Sequence, residues 1–94
     1  MHTYASLVDV SKDVQNPQEL TSVWGDIRSD LEDRDATLKD TYAILGEYDF
    51  LVILSAPDRD AAYQAALALD RHGLDSQTME IIPTDELAHV VDDA

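Results

Sequence analysis

The sequence predicts an α+β domain with the element order β-α-β-β-α-β and a short helix after the last strand. Segments rich in β-branched and aromatic residues predict four strands. Between them, two segments repeat apolar residues every three or four positions, as helices with one buried face do. A hairpin between two crossover helices is the order of the ferredoxin-like fold. Its sheet is four-stranded and antiparallel, with the first and third strands at the centre.

The first strand is predicted at residues 3–9 and the first helix from Asn16 to about Asp33. Asn16 is a good helix cap, and Pro17 supplies the fixed φ angle that suits the first helical position. An apolar stripe at helical spacing then predicts the buried face of this helix: Leu20, Val23, Trp24, Ile27 and Leu31.

The hairpin is predicted from two strands, at residues 37–45 and 48–56, separated by Gly46-Glu47. Glycine at the first position of a two-residue loop is typical of a type II′ turn. This turn places Tyr42 opposite Leu51. Strict alternation then puts Leu38 on the face of Leu51, away from Leu54.

Both faces of the third strand (YDFLVILSA, residues 48–56) are apolar. An antiparallel sheet with one solvated face should alternate apolar and polar residues, so we expect both faces to be covered. Two helices can cover one face only. The sequence therefore predicts a homodimer in which a second copy covers the other face.

The second helix is predicted to begin at Pro57-Asp58-Arg59-Asp60 and to end at Gly73. Small residues predict a buried face that lies close to the sheet: Ala62, Ala65, Ala66 and Leu69. Residues 74–82 are polar enough for an edge strand. Residues 83–94 predict a short terminal helix capped by Thr84.

Composition sets further limits on the chain, which we expect to be a single domain over residues 1–94. There is no cysteine, which excludes disulfides and thiolate chemistry, and no apolar run long enough to span a membrane. Twenty acidic residues against six basic ones give a net charge of -14. This charge opposes nucleic-acid binding and predicts a protein of the salt-rich cytoplasm of a halophile, where salt screens the repulsion.

Several segments resemble the GYD domain family: LGEYD at residues 45–49, the apolar strand that follows, and APD at 56–58. Met1, Tyr4 and Leu7 near the start, and Gly73 before a strand containing Thr78, are also similar to that family. The resemblance implies a fold of the dimeric α/β-barrel group. It implies no particular activity.

Five residues form the predicted ligand-binding set: Tyr4, Tyr42, Gly46, Tyr48 and Asp49. Of these, Asp49 and Tyr42 are the catalytic candidates, since a diagonal pair in a partly dry pocket could transfer a proton. In the alternative, which we favour, Asp49 bonds backbone or a tyrosine hydroxyl and secures the hairpin. Tyr4 is expected either to share such a pocket or to lie at an interface.

Two classes of function remain open. The first is a dimeric ligand-binding or regulatory module for a small apolar or aromatic molecule, and the second is a cofactor-free enzyme, such as a monooxygenase or isomerase. The three histidines have no metal-ligand spacing, and three glycines cannot build a phosphate loop. We therefore expect no metal and no cofactor. We prefer the binding module, because the chain lacks a convincing acid-base pair.

Overall fold

A computed structural model describes residues 1–10 and 17–92 of the chain. Its elements are β1 (His2–Val10), α1 (Pro17–Glu32), β2 (Thr37–Ala43), β3 (Phe50–Ala56), α2 (Arg59–Arg71), β4 (Leu74–Ile81) and α3 (Thr84–Asp92). The predicted element order is confirmed. Asn16, the expected cap of α1, lies outside the described residues.

In this part of the chain, four strands form one antiparallel sheet in the order β2-β3-β1-β4. The first and third strands are central, as the ferredoxin-like order requires. Helices α1 and α2 pack on one side of the sheet, here called the helix face. The other side is called the open face. This α+β arrangement with a C-terminal helix confirms the predicted fold.

The core lies between the helix face and the two helices. Ile27 and Leu31 of α1 are fully buried there, and Trp24 packs edge-on against Phe50 with ring centroids 5.5 Å apart. The side chain of Leu20 lies outside the described set. Packing of apolar side chains therefore holds the layers together, as expected for a chain without disulfides.

The hairpin keeps the predicted register but not the predicted turn. Tyr42 does pair with Leu51, yet the strands end at Ala43 and resume only at Phe50, leaving a loop at residues 44–49. A type II′ turn needs a positive φ at its first central residue, and Gly46 has none. Asp49, the residue before β3, still accepts the Ile44 N–H, but its own N–H donates to the Val8 carbonyl of β1, so the ladder between β2 and β3 is not continued beyond it.

A β-bulge in β2 corrects the predicted faces. The register shifts between Leu38 and Asp40, so Leu38 lies directly opposite Leu54 on the helix face and is buried. Strict alternation of side chains along β2 predicted Leu38 on the face of Leu51, which is the open face. One extra residue in a strand moves every residue beyond it to the opposite face, and alternation cannot anticipate it.

Helix α2 begins and ends where the sequence indicates. Asp58 caps it, with the Ala61 backbone N–H donating to Oδ1 at 2.8 Å, and Gly73 follows its end at φ 84°. The residues buried on α2 are Ala62, Ala65, Ala68 and Leu69. Ala66 is only half-buried and lies beside a groove, so the helix is rotated slightly from the predicted orientation.

The open face has no described element packed over it. Its central side chains are apolar and half-buried at Leu51 and Ile53, and the edge residue Met79 is 41% exposed. Helix α3 begins directly after β4 and makes almost no contact with the rest of the domain, leaving its side chains from Thr84 to Val91 exposed. None of the described helices combines the length and the apolar character of a membrane span.

Candidate functional site

The edge strand β4 has its polarity inverted after Leu74, which is itself buried on the helix face. On the helix face, where apolar residues are expected, it places Ser76, Thr78 and Glu80 opposite Val8, Ser6 and Tyr4 of β1. Its apolar residues Met79 and Ile81 point to the open face. Polar side chains beneath a helix need partners or solvent, so this half of the helix face is not a closed core.

A groove of about 330 Å³ lies between α2 and β4 above these polar residues. The sheet forms its floor and the exposed side of α2 forms its wall. It is lined by Tyr4, Arg59, Ala62, Tyr63, Ala66, Ser76, Thr78 and Glu80. Small alanines on the helix leave the space open, and most of the lining surface is apolar.

Tyr4 is the buried polar residue of the groove. Its side chain is only 7% exposed and packs in the core, but its hydroxyl has no hydrogen-bond partner among the described residues. Burial raises the pKa of this hydroxyl above 10.0, and the nearby Glu80 and Asp58 carboxylates raise it further. The hydroxyl is therefore protonated at neutral pH and can both donate and accept.

Two hydroxyls on the floor of the groove already have hydrogen-bond partners. The Ser6 and Thr78 hydroxyls lie 2.7 Å apart and bond to each other, and Ser6 is fully buried. At the groove's outer end, the His2 ring Nδ1 lies 3.0 Å from Oε2 of Glu80. The groove therefore offers the Tyr4 hydroxyl, the Ser76 hydroxyl and two charged groups, Arg59 and Glu80.

Asp49 has a structural role, because it bonds to the backbone of β1. Its Oδ2 accepts the Val10 backbone N–H at 2.9 Å, and its own N–H donates to the Val8 carbonyl at 2.8 Å. Its carbonyl also accepts the Ile44 N–H at 2.9 Å. Asp49 thus fastens the loop at residues 44–49 to β1, which is the alternative favoured from the sequence.

The other predicted site residues lie apart from the groove. The Tyr48 hydroxyl donates to Oε1 of Gln77 at 2.9 Å, which ties the hairpin loop to β4. Tyr42 is half-exposed on the open face opposite Leu51, and Gly46 lies at the exposed part of the loop. Of the five predicted ligand-binding residues, the structure places only Tyr4 in the groove.

Sequence reasoning missed the groove residues on α2 and β4. One observation could have found them: Ser76, Thr78 and Glu80 alternate with apolar Met79 and Ile81 in one strand. Once β4 is placed beside β1, this alternation shows that its polar side faces a helix. The pairing that decides this is long-range and is absent from local sequence patterns.

A second, acidic cleft lies between α1 and α2, where Asp30 bonds to Arg34 and to His72. Arg34 Nε donates to Asp30 Oδ1 at 3.0 Å, and His72 Nε2 lies 3.2 Å from Oδ2. The hydrogen bond from Arg34 is the main cause of a lowered pKa at Asp30. Across the described ranges, no three metal-ligating side chains converge. The bond between Asp30 and His72 links the two helices across this cleft.

Fold and groove together define a small α+β domain of ferredoxin-like topology with a ligand-sized groove between its second helix and its edge strand. A family model, the GYD domain, matches residues 4–91. The chain belongs to the GYD domain family. The match contains both the groove and the hairpin loop with its Tyr48-Asp49 pair. A search of curated proteins found no match.

Proposed function

We propose that this protein is a homodimeric small-ligand-binding or regulatory module whose ligand lies in the groove between α2 and β4. The observation that carries the proposal is Tyr4, a tyrosine that is nine-tenths buried while its hydroxyl lacks a partner in the described protein. No fully buried side-chain polar atom among the described residues lacks a partner, so the Tyr4 hydroxyl itself reaches water in the groove. A ligand that bonds to it would replace that water and be oriented by a hydroxyl that the buried ring holds in place.

The groove's shape and lining support a small apolar or aromatic ligand. Its volume of about 330 Å³ is at the lower end for small-molecule sites, which hold about 300–1,000 Å³. The wall of Ala62, Ala66 and Tyr63 favours an aliphatic or aromatic body. A polar group on the ligand would bond to the hydroxyl of Tyr4 or Ser76 and set its orientation.

The open face supports the homodimer. Leu51, Ile53 and Met79 form an apolar surface on the side of the sheet that no described element covers. The inverted polarity of β4 adds to this surface, since Ile81 as well as Met79 points there. Packing against the same face of a second copy would remove these side chains from water.

The ligand part is tested by ligand-observed NMR with a panel of small aromatic and aliphatic compounds. Tyr4→Phe should weaken any compound that binds by about tenfold, because it removes the hydroxyl and keeps the ring. Ala66→Leu should fill the groove and abolish binding. Tyr42→Phe is the matched control and should leave binding unchanged. Equal binding to all variants would place the ligand elsewhere and refute the groove as the site.

The dimer is tested by sedimentation equilibrium in multimolar KCl, where twice the monomer mass of 10.4 kDa is expected. Ile53→Glu and Met79→Glu should each give monomers, because each puts a charge on the open face. Leu67→Glu is the control, since Leu67 is exposed on the outer side of α2. A monomeric wild type in this buffer would refute the dimer.

The alternative, a cofactor-free monooxygenase- or isomerase-like enzyme, receives no support from the predicted catalytic pair. Asp49 is bonded to the β1 backbone, while Tyr42 lies half-exposed on the open face. Neither lines the groove. Turnover that depends on both side chains would favour the enzyme over the binding module.

A further inference from the structure

The position of Arg59 in the fold is not explained by a structural role. It is the first residue of α2, and the positive end of a helix dipole disfavours a cation there. Within the described part of the chain, Arg59 forms no ion pair, although acidic residues outnumber basic ones by 20 to 6 in this protein. Its side chain instead lines the groove.

Glu80 lies at the same end of the groove with the opposite charge. It is directly opposite Tyr4 in the β1–β4 register and is on the helix face, because β4 is inverted. Oε2 of its carboxylate is engaged by His2. Arg59 and Glu80 both line the groove, and no ion pair joins them in the described structure, so neither charge neutralises the other there.

Beyond its charged end, the helix wall of the groove is apolar, while the floor carries the hydroxyls of Ser76 and Thr78. Helix α2 runs antiparallel to β4, so Tyr63 and Ala66 follow Arg59 along the groove away from its charged end. The wall there consists of an alanine pair and one aromatic ring. A ligand that matches this order has two opposite charges at one end and an uncharged body at the other.

We propose that the groove binds a free α-amino acid with an apolar or aromatic side chain. Its carboxylate pairs with the Arg59 guanidinium, its ammonium group pairs with Glu80, and its side chain lies along Ala62, Tyr63 and Ala66. The Tyr4 hydroxyl donates to the same carboxylate. This inference rests on the proposed function and narrows its ligand to one chemical class.

The test measures the affinity of the 94-residue chain, by calorimetry, for four probes that share a phenylethyl group. L-Phenylalanine carries both charges, 3-phenylpropionate lacks the ammonium group, 2-phenylethylamine lacks the carboxylate, and 2-phenylethanol lacks both. L-Phenylalanine should bind best, and loss of either charge should weaken binding about tenfold, as expected for a charge-assisted hydrogen bond.

Two variants assign each charge to its partner. Arg59→Gln should weaken L-phenylalanine about tenfold and leave 2-phenylethylamine unchanged, because the amine has no carboxylate for Arg59. Glu80→Gln should weaken L-phenylalanine similarly and leave 3-phenylpropionate unchanged. Arg28→Gln and Glu32→Gln make the same charge changes on the exposed surface of α1 and serve as controls.

The outcomes separate this inference from the proposed function. If 2-phenylethanol binds as tightly as L-phenylalanine and Tyr4→Phe weakens both, the amino-acid class is refuted and the groove remains a ligand site. The same conclusion holds if none of the four probes binds but another compound of the panel does. If no compound binds in the groove, both proposals fail.

Discussion

Asp49 shows how a short motif can be structural. Its carboxylate and its backbone together make three hydrogen bonds, two to β1 and one to the end of β2. The neighbouring Tyr48 bonds to Gln77 on β4. The two motif residues therefore fasten the hairpin loop across the end of the sheet, and neither reaches the groove. In the groove, by contrast, the Tyr4 hydroxyl has no hydrogen-bond partner among the described residues.

We expect Asp49→Ala to lower the free energy of unfolding by roughly 1 kcal/mol, because the Val10 N–H loses its acceptor. Asp49→Asn keeps an acceptor oxygen and should cost less. Denaturant titration of the purified protein measures both effects. Glu47→Ala, in the same exposed loop, is the control. A loss no larger than that of the control would show that the bond adds nothing to stability.

Tyr4 should make the protein sensitive to alkaline pH. Its pKa is raised in the folded state above the ordinary 10.0, so the folded protein retains the proton more strongly than the unfolded chain. The resulting stability is fully present below pH 10.0 and is lost as the pH rises through the folded-state pKa. Urea titrations at several alkaline pH values should show a steeper loss for the wild type than for Tyr4→Phe. Parallel curves would contradict this prediction.

At the scale of elements, the turn after α1 contains a residue under strain. Asp35 has φ 66°, a left-handed conformation that favours glycine, and the adjacent Ala36 N–H closes the helix end by bonding to the Leu31 carbonyl at 2.9 Å. This turn sets the direction in which the chain enters β2. The bulge that follows then returns Leu38 to the core.

Asp35→Gly should raise the free energy of unfolding by about 0.5–1 kcal/mol, because glycine adopts this φ without a side-chain clash. Thermal unfolding monitored by circular dichroism measures the change. Asp35→Ala removes the charge but keeps a Cβ atom in the left-handed conformation, and so separates relief of strain from relief of repulsion. If the alanine and glycine variants are equally stabilised, charge rather than backbone strain explains the gain.

At the scale of the whole molecule, a charge of -14 acts on a domain with a radius of gyration of 14.3 Å. At 0.1 M salt the Debye length is about 10 Å, which is comparable with the radius of the domain, so its acidic side chains repel one another in dilute buffer. Near 1 M salt the length falls to roughly 3 Å and most of the repulsion is screened.

We therefore expect the thermal midpoint to rise steadily as KCl increases from dilute to multimolar concentration, the behaviour predicted for a protein of a salt-rich cytoplasm. Potassium chloride must be compared with an equal osmolarity of sucrose, because excluded solutes also stabilise compact states. A midpoint that responds equally to both, or falls with KCl, would refute charge screening as the cause.

By itself, the sequence determined the properties that depend on local pattern and composition. The apolar periods of residues 3–9, 48–56 and 57–73 predicted the element types, and their order predicted the ferredoxin-like topology with β1 and β3 at the centre. Helix ends followed from the chemistry of Asp58 and Gly73. Acidity and the apolar third strand are also properties of the chain itself.

Only the tertiary structure decided where polar groups meet across the sheet. Pairing between distant segments produces the bulge that buries Leu38, the bonds from Asp49 to β1, and the groove that Arg59, Glu80 and Tyr4 all line. Such pairing is determined by the balance of hydrogen bonds and buried area over the whole domain, and no local sequence pattern encodes it. For the same reason the sequence predicted Tyr4 as a site residue and missed the rest of its groove.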